Sequence, residues 1–177
     1  MTHPSKIALA LATAVTLASC ASVPRPDDNI IGIAALNDSS GTPTGEARLI
    51  SVGDSIEVAV TAYGLTPGEH GFHIHTTGRC IAPDYASAGG HLNPGGHPHG
   101  DPSSARSHLG AMPNLTVSAS GTASDRFTLG TGAEQIVDAI FDTDGAAVII
   151  HADPDDYVSQ PSGNAGARVA CGVLRRL

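Results

Sequence analysis

The chain has no tryptophan and only three tyrosines and three phenylalanines. It therefore offers no aromatic platform on which nucleic-acid bases could stack. Basic residues are few: nine lysines and arginines stand against 17 carboxylates, for a net charge of −8. The one lysine is Lys6, and the arginines are scattered. With no basic footprint for a phosphate backbone, nucleic acid is excluded as a partner. Long apolar runs are also missing. Ile7 to Ser19 is apolar but too short to span a bilayer. No segment carries a convincing helical period, and residues 133–141 are the only ambiguous stretch.

Cysteine is scarce as well, with three in 177 residues. The apolar run after Lys6 ends at Leu17-Ala18-Ser19-Cys20, which resembles a bacterial lipobox. That resemblance implies a signal peptide over residues 1–19, removed before Cys20, and acylation of Cys20 as a lipid anchor. An ordinary secretory signal is the alternative. Residues 20–29 then read as a polar tether, and residues 30–177 as one domain large enough for a real core. Cys80 and Cys171 remain as an even pair in an exported protein, where disulfides persist. Joint metal ligation by the two is the other option.

The rest reads as strands. Ser55 to Tyr63 alternates Ile56, Val58, Val60 and Ala62 against Glu57, Ala59, Thr61 and Tyr63, the period-two pattern of a half-buried strand. Leu115, Val117 and Ala119 alternate likewise. Ser120-Gly121 turns the chain and Ala123 to Leu129 returns it, predicting a hairpin with Phe127 and Leu129 inward. Further strands are expected over 30–36, 46–51, 71–75, 146–151 and 168–174. Short strands separated by Gly and Pro turns predict an all-β sandwich or barrel. Two segments stand apart as long loops, roughly 76–114 and 152–167, and loops of that length in a compact domain are usually functional.

Histidine is abundant, with nine in the chain. His73-Ile74-His75 closes a strand, and period two puts both rings on one face, about 7 Å apart at the backbone, where they can converge on a metal. His151 ends the apolar strand AAVII. His91 follows Gly89-Gly90, which allows close backbone approach. Four imidazoles without a thiolate favour Cu(II), although neutral imidazole suits zinc too.

The motifs GEHGFHIHTTGRC, SAGGHLNP, SHLGAMPN, VIIHADPDD and NAGARVACGV together resemble the copper/zinc superoxide dismutases in their bacterial exported form. The resemblance runs from about Ile30 to Leu174. It implies an eight-stranded antiparallel Greek-key barrel or flattened sandwich with two long functional loops, in a family that is itself a standard example of β-sandwich architecture and of near-diffusion-limited catalysis. It implies copper on His73, His75, His91 and His151, and zinc on His91, His99 and His108, with His91 bridging the two. It implies a Cys80–Cys171 disulfide. Arg168 would attract and orient the superoxide anion, and His91 would carry a proton during turnover. Asp155 would link a copper histidine to a zinc histidine, fixing their tautomers. His70 and His97 fall outside this set, His70 as a structural residue and His97 as a solvated one.

One position departs from the pattern. The family's fourth zinc ligand is an aspartate three residues after the last zinc histidine, and here that residue is Ala111. A methyl group cannot bind zinc, so three imidazoles leave the fourth tetrahedral position to water, Asp101 or His97. Zinc is therefore expected to bind weakly. Three readings follow: a superoxide dismutase with a weakened zinc subsite, a copper-only dismutase, or a lipid-anchored copper-binding or storage protein with little turnover. The location implied is the cell envelope, periplasmic or surface-facing. The oligomeric state, a homodimer included, is left open. Two glycosylation sequons, at Asn37 and Asn114, carry little weight in a bacterial lipoprotein.

Overall fold

The computed structural model describes residues 29–177. The signal segment, the Cys20 anchor and most of the tether lie outside the described residues. No helix among the described residues is long and apolar enough to cross a membrane.

Ten strands form, two more than the eight expected, and the additional two, Gly68–His70 and Arg175–Arg176, are only three and two residues long. They are β1 (Asn29–Asn37), β2 (Pro43–Val52), β3 (Ser55–Tyr63), β4 (Gly68–His70), β5 (Phe72–His75), β6 (Leu115–Val117), β7 (Thr122–Thr131), β8 (Ala147–His151), β9 (Arg168–Val173) and β10 (Arg175–Arg176). All pairings are antiparallel. The main sheet runs β5-β8-β9-β1-β2-β3-β7, with β10 on β1, and β4 pairs β6 beside it. Only Gly71 separates β4 from β5, so the small pair continues the large sheet round a curled half-barrel.

The curl encloses the core. Leu36, Leu49, Ile56, Val58, Phe72, Ile74, Leu115, Val148 and Ile150 pack within one apolar cluster. Phe127 and Leu129 pack against it from β7, as the alternation predicted. The expected hairpin at Ser120-Gly121 holds only as a turn: Gly121 N–H donates to Ser118 O at 2.9 Å. Its two arms then diverge, β6 to β4 and β7 to β3. The ambiguous stretch is an amphipathic helix, α1 (Ala133–Ile140), with Ile136 and Ile140 buried. At eight residues it presents barely two turns, too few for its period to stand out in sequence. Asp54, in the β2–β3 turn, receives the backbone N–H groups of Gly132 and Ala133 at the helix start.

The two long loops occupy residues 76–114, between β5 and β6, and 152–167, between β8 and β9. They cover the outer face of β5 and β8. On β5, Phe72 and Ile74 point into the core, while His73 and His75 point outward yet are 0% and 1% exposed. All four residues are therefore buried, and that burial pattern would read as a central strand if the loops were ignored.

A disulfide between Cys80 and Cys171 ties the first loop to β9, with a Cα–Cα distance of 5.7 Å. Around it sits a second apolar cluster of Tyr85, Ala88, Ala147 and Ile149, and the Tyr85 hydroxyl donates to Asn37 O at 2.9 Å. The bridge spans 91 residues, so loop-closure entropy assigns it about 4–5 kcal/mol. A Cys171→Ser variant should lose stability of that order in urea unfolding relative to the oxidised parent. A change below about 1 kcal/mol would contradict the entropic account of its role.

Candidate metal centre

The free edge of β5 positions the first loop. Ile74 N–H donates to Gly110 O at 2.9 Å, Leu92 N–H to Ile74 O at 2.8 Å and Thr76 N–H to Gly90 O at 2.9 Å. This brings His91 into a bridge with His75, and Ala111 into one with His73. On the far edge, β8 aligns His73 with Ile149 and His75 with Ala147. His151, at the end of β8, stands opposite Arg168, the first residue of β9, just after a register shift. A strand end, a loop and a bulge thus meet over one patch of sheet.

Two histidine clusters result, each with its ligand nitrogens within 4.8 Å of one another: His73, His75, His91 and His151 in one, His91, His99 and His108 in the other. His91 belongs to both. These are the two sets expected from the sequence, and every member is buried.

The hydrogen bonds decide which nitrogen faces inward. His75 donates from Nδ1 to Gly89 O at 2.9 Å, and His151 from Nδ1 to Gly166 O at 3.2 Å. That turns the two Nε2 atoms toward each other, 3.4 Å apart. His73 and His99 use Nε2 instead, contacting the two oxygens of Asp155 at 2.8 and 2.9 Å. Their Nδ1 atoms, with Nε2 of His91, are buried and have no hydrogen-bond partner. The remaining nitrogen of His91, Nδ1, lies 3.2 Å from Nδ1 of His108. A buried lone pair without a partner is costly. Imidazole nitrogens converging in this way fit a metal ion, and the outer N–H bonds supply the orientation such ligands need.

Burial also sets protonation. It pushes the His151 ring down to about 4 and the His75 ring well below its usual value, with neighbouring charges adding to the effect. Burial lowers His73, His91 and His108 in the same direction. Neutral rings are the form that ligates metal. Asp155 moves down despite its burial, because His73, the Tyr157 N–H and His99 all stabilise the carboxylate.

Asp155 is itself held firmly. The Asn114 side chain receives Asp155 N–H at 2.8 Å and donates to Asp155 O at 3.0 Å, as a paired strand would. Tyr157 N–H donates to Oδ1 at 2.7 Å. Gly163 passes so close that an added Cβ would lie 1.8 Å from that oxygen. A second amide does the same for His99: Gln160 accepts from His99 N–H at 2.9 Å and donates to His99 O at 2.8 Å. Asn114 and Gln160 were not legible as site residues. An amide in a loop carries no pattern, and Asn114 read only as a sequon.

Arg168 is half-buried and donates to two carbonyls of the first loop, Tyr85 O and Gly89 O, both at 2.6 Å. Gly89 O is also the acceptor for His75, so one carbonyl fixes both side chains. Gly89 has a φ of +75°, a conformation that suits glycine. The other residues weighed from sequence stay outside. His70 is buried under the site and donates from Nδ1 to His151 O at 2.6 Å. His97 and Asp101 are exposed and join neither cluster. Among the described residues, no carboxylate belongs to either cluster.

Comparison with known proteins agrees with this geometry. Residues 43–174 match the family described as copper/zinc superoxide dismutase. The chain is 39% identical over 148 residues to "Superoxide dismutase [Cu-Zn] 2" of Aquifex aeolicus, covering 80% of this chain and 85% of that one. It is 34% identical over 149 residues to the Cu-Zn superoxide dismutase of Caulobacter vibrioides, at 80% and 84% coverage. Among solved structures, a SOD-like protein from Bacillus subtilis superposes with a TM-score of 0.72 at 36% identity, covering 80% of this chain and 96% of that one. The matched span contains both histidine clusters, Asp155 and Arg168, and the chain belongs to the copper/zinc superoxide dismutase family.

Proposed function

We propose that the chain dismutates superoxide to O₂ and hydrogen peroxide, with copper held by His73, His75, His91 and His151. The observation that carries this reading is the fixed guanidinium of Arg168 beside a buried four-imidazole cluster. Copper, when bound, supplies the one-electron chemistry, with one superoxide oxidised to O₂ and a second reduced and protonated to hydrogen peroxide. The protein supplies the rest. Arg168, tied down by two carbonyls and opposite His151, presents a preorganised cation to an anionic substrate. His91 Nε2, which has no hydrogen-bond partner, is the atom suited to carry a proton to the reduced product. Asp155 keeps His73 and His99 in the tautomer that turns Nδ1 inward. A storage role gives no reason to hold an arginine in this way.

The second cluster would take zinc through His91, His99 and His108, with a weakened hold because Ala111 contributes no ligand and no negative charge. A dismutase that runs on copper alone is the limiting case of the same reading. The lipobox-like segment ending at Cys20 and the Cys80–Cys171 disulfide support a lipid-anchored location in the cell envelope.

Purified protein should be loaded with copper alone and with copper plus zinc, and dismutation and bound metal measured. Activity should require copper. Dialysis against a moderate chelator should strip zinc while copper stays. Equal retention of the two metals would refute the weakened zinc subsite, and copper binding without turnover would favour storage. Net charge opposes the substrate, so the local field must guide it. Arg168→Ala should lower the second-order rate constant about tenfold or more and flatten its decline with ionic strength. An unchanged salt profile would remove Arg168 from steering.

A further inference from the structure

Ala111 does more than omit a ligand. It lies 6% exposed on the wall of a cavity of about 660 Å³, and His108 lies on the same wall. The cavity opens between the first loop, β7 and α1, and Arg168 is not among its lining residues. Leu129 and Ile136 give it an apolar side, and Gln135 contributes an amide. Neither arginine nor lysine lines it. The truncated side chain therefore stands where this space meets His108, the one member of the three-imidazole cluster on its wall.

We propose that this cavity is a binding site for a small aliphatic carboxylate, of the size of formate or acetate, which completes the zinc coordination that Ala111 leaves open. The inference rests on the zinc reading of His91, His99 and His108. Two neutral imidazoles and the shared His91 ring, an imidazolate when it bridges two metals, would leave zinc one donor short and its charge only partly balanced, and a carboxylate corrects both. The apolar wall suits the C–H of formate or the methyl group of acetate. Because the wall carries no fixed cation, the anion has little reason to bind unless the metal is present. Zinc and carboxylate must then raise each other's affinity by the same factor.

The test uses copper-loaded protein titrated with Zn(II) against a competing chelator in formate, acetate or chloride at matched ionic strength. Parallel titrations with Co(II) read the visible absorption as a report of the ligand set. Formate at about ten times its own dissociation constant should raise the apparent zinc affinity about tenfold over chloride, saturably. It should also shift the Co(II) spectrum. Ala111→Asp supplies its own carboxylate and should bind zinc tightly with no formate dependence. Ala111→Val keeps the three histidines but adds bulk without a donor at that position, and it should bind zinc weakly in every buffer. Equal affinity in formate and chloride for the unaltered protein would overturn the proposal while leaving the zinc reading intact. The same formate effect in both variants would also overturn it, by placing the anion elsewhere. Absence of zinc and cobalt binding in all buffers, in the protein and in Ala111→Asp alike, would overturn the zinc reading and the proposal together.

Discussion

The two contacts of the Asp155 carboxylate, one to His73 and one to His99, are what the centre hangs on. His73 lies on β5 and His99 in the first long loop, while Asp155 comes from the second. One side chain thus ties a sheet and both loops together. Asp155 can do so only because its own position is over-determined, by the Asn114 amide on its backbone, the Tyr157 N–H on its carboxylate and the close pass of Gly163. Loops this long would otherwise spend their conformational freedom in solvent. Here the second loop is fastened to the first at Asp155–Asn114 and Gln160–His99, and the first is fastened to the barrel at Cys80–Cys171.

The arrangement also explains how so many polar rings can be buried. Each histidine of the clusters that needs an orienting partner on its outer nitrogen finds a carbonyl or Asp155 there. Burial then holds the rings neutral, which leaves lone pairs converging inward. The cost of those unpartnered nitrogens is tolerable only where a metal ion takes them up. Beside the second cluster Ala111 brings neither a donor nor a charge, and it borders a cavity.

Much of this was legible in advance, for physical reasons. The alternation in SIEVAVTAY and FHIH marks strands with an inner and an outer face, and both long loops fall where turn-rich composition placed them. The histidines were legible because their spacing matches a family pattern, and Cys80 and Cys171 because they form an even pair once Cys20 is set aside, as the family pattern also implies. The helix α1 was obscured by its length, and the diverging hairpin by the fact that a turn does not say which neighbours its arms will choose. Asn114 and Gln160 were invisible, because their work is done on backbone groups far away in the chain.

The sequence by itself determined the alternating strands, the buried apolar set, the supply of imidazoles and the missing carboxylate at residue 111. The first three follow from local residue chemistry and period, and the last from the family resemblance. Only the tertiary structure decided which nitrogen of each ring faces inward, that one carbonyl at Gly89 holds both His75 and Arg168, and that Ala111 borders a cavity. Those are relations between segments brought together by sheet pairing and loop docking. They depend on distances of a few ångströms between residues separated by as many as 82 positions in the chain.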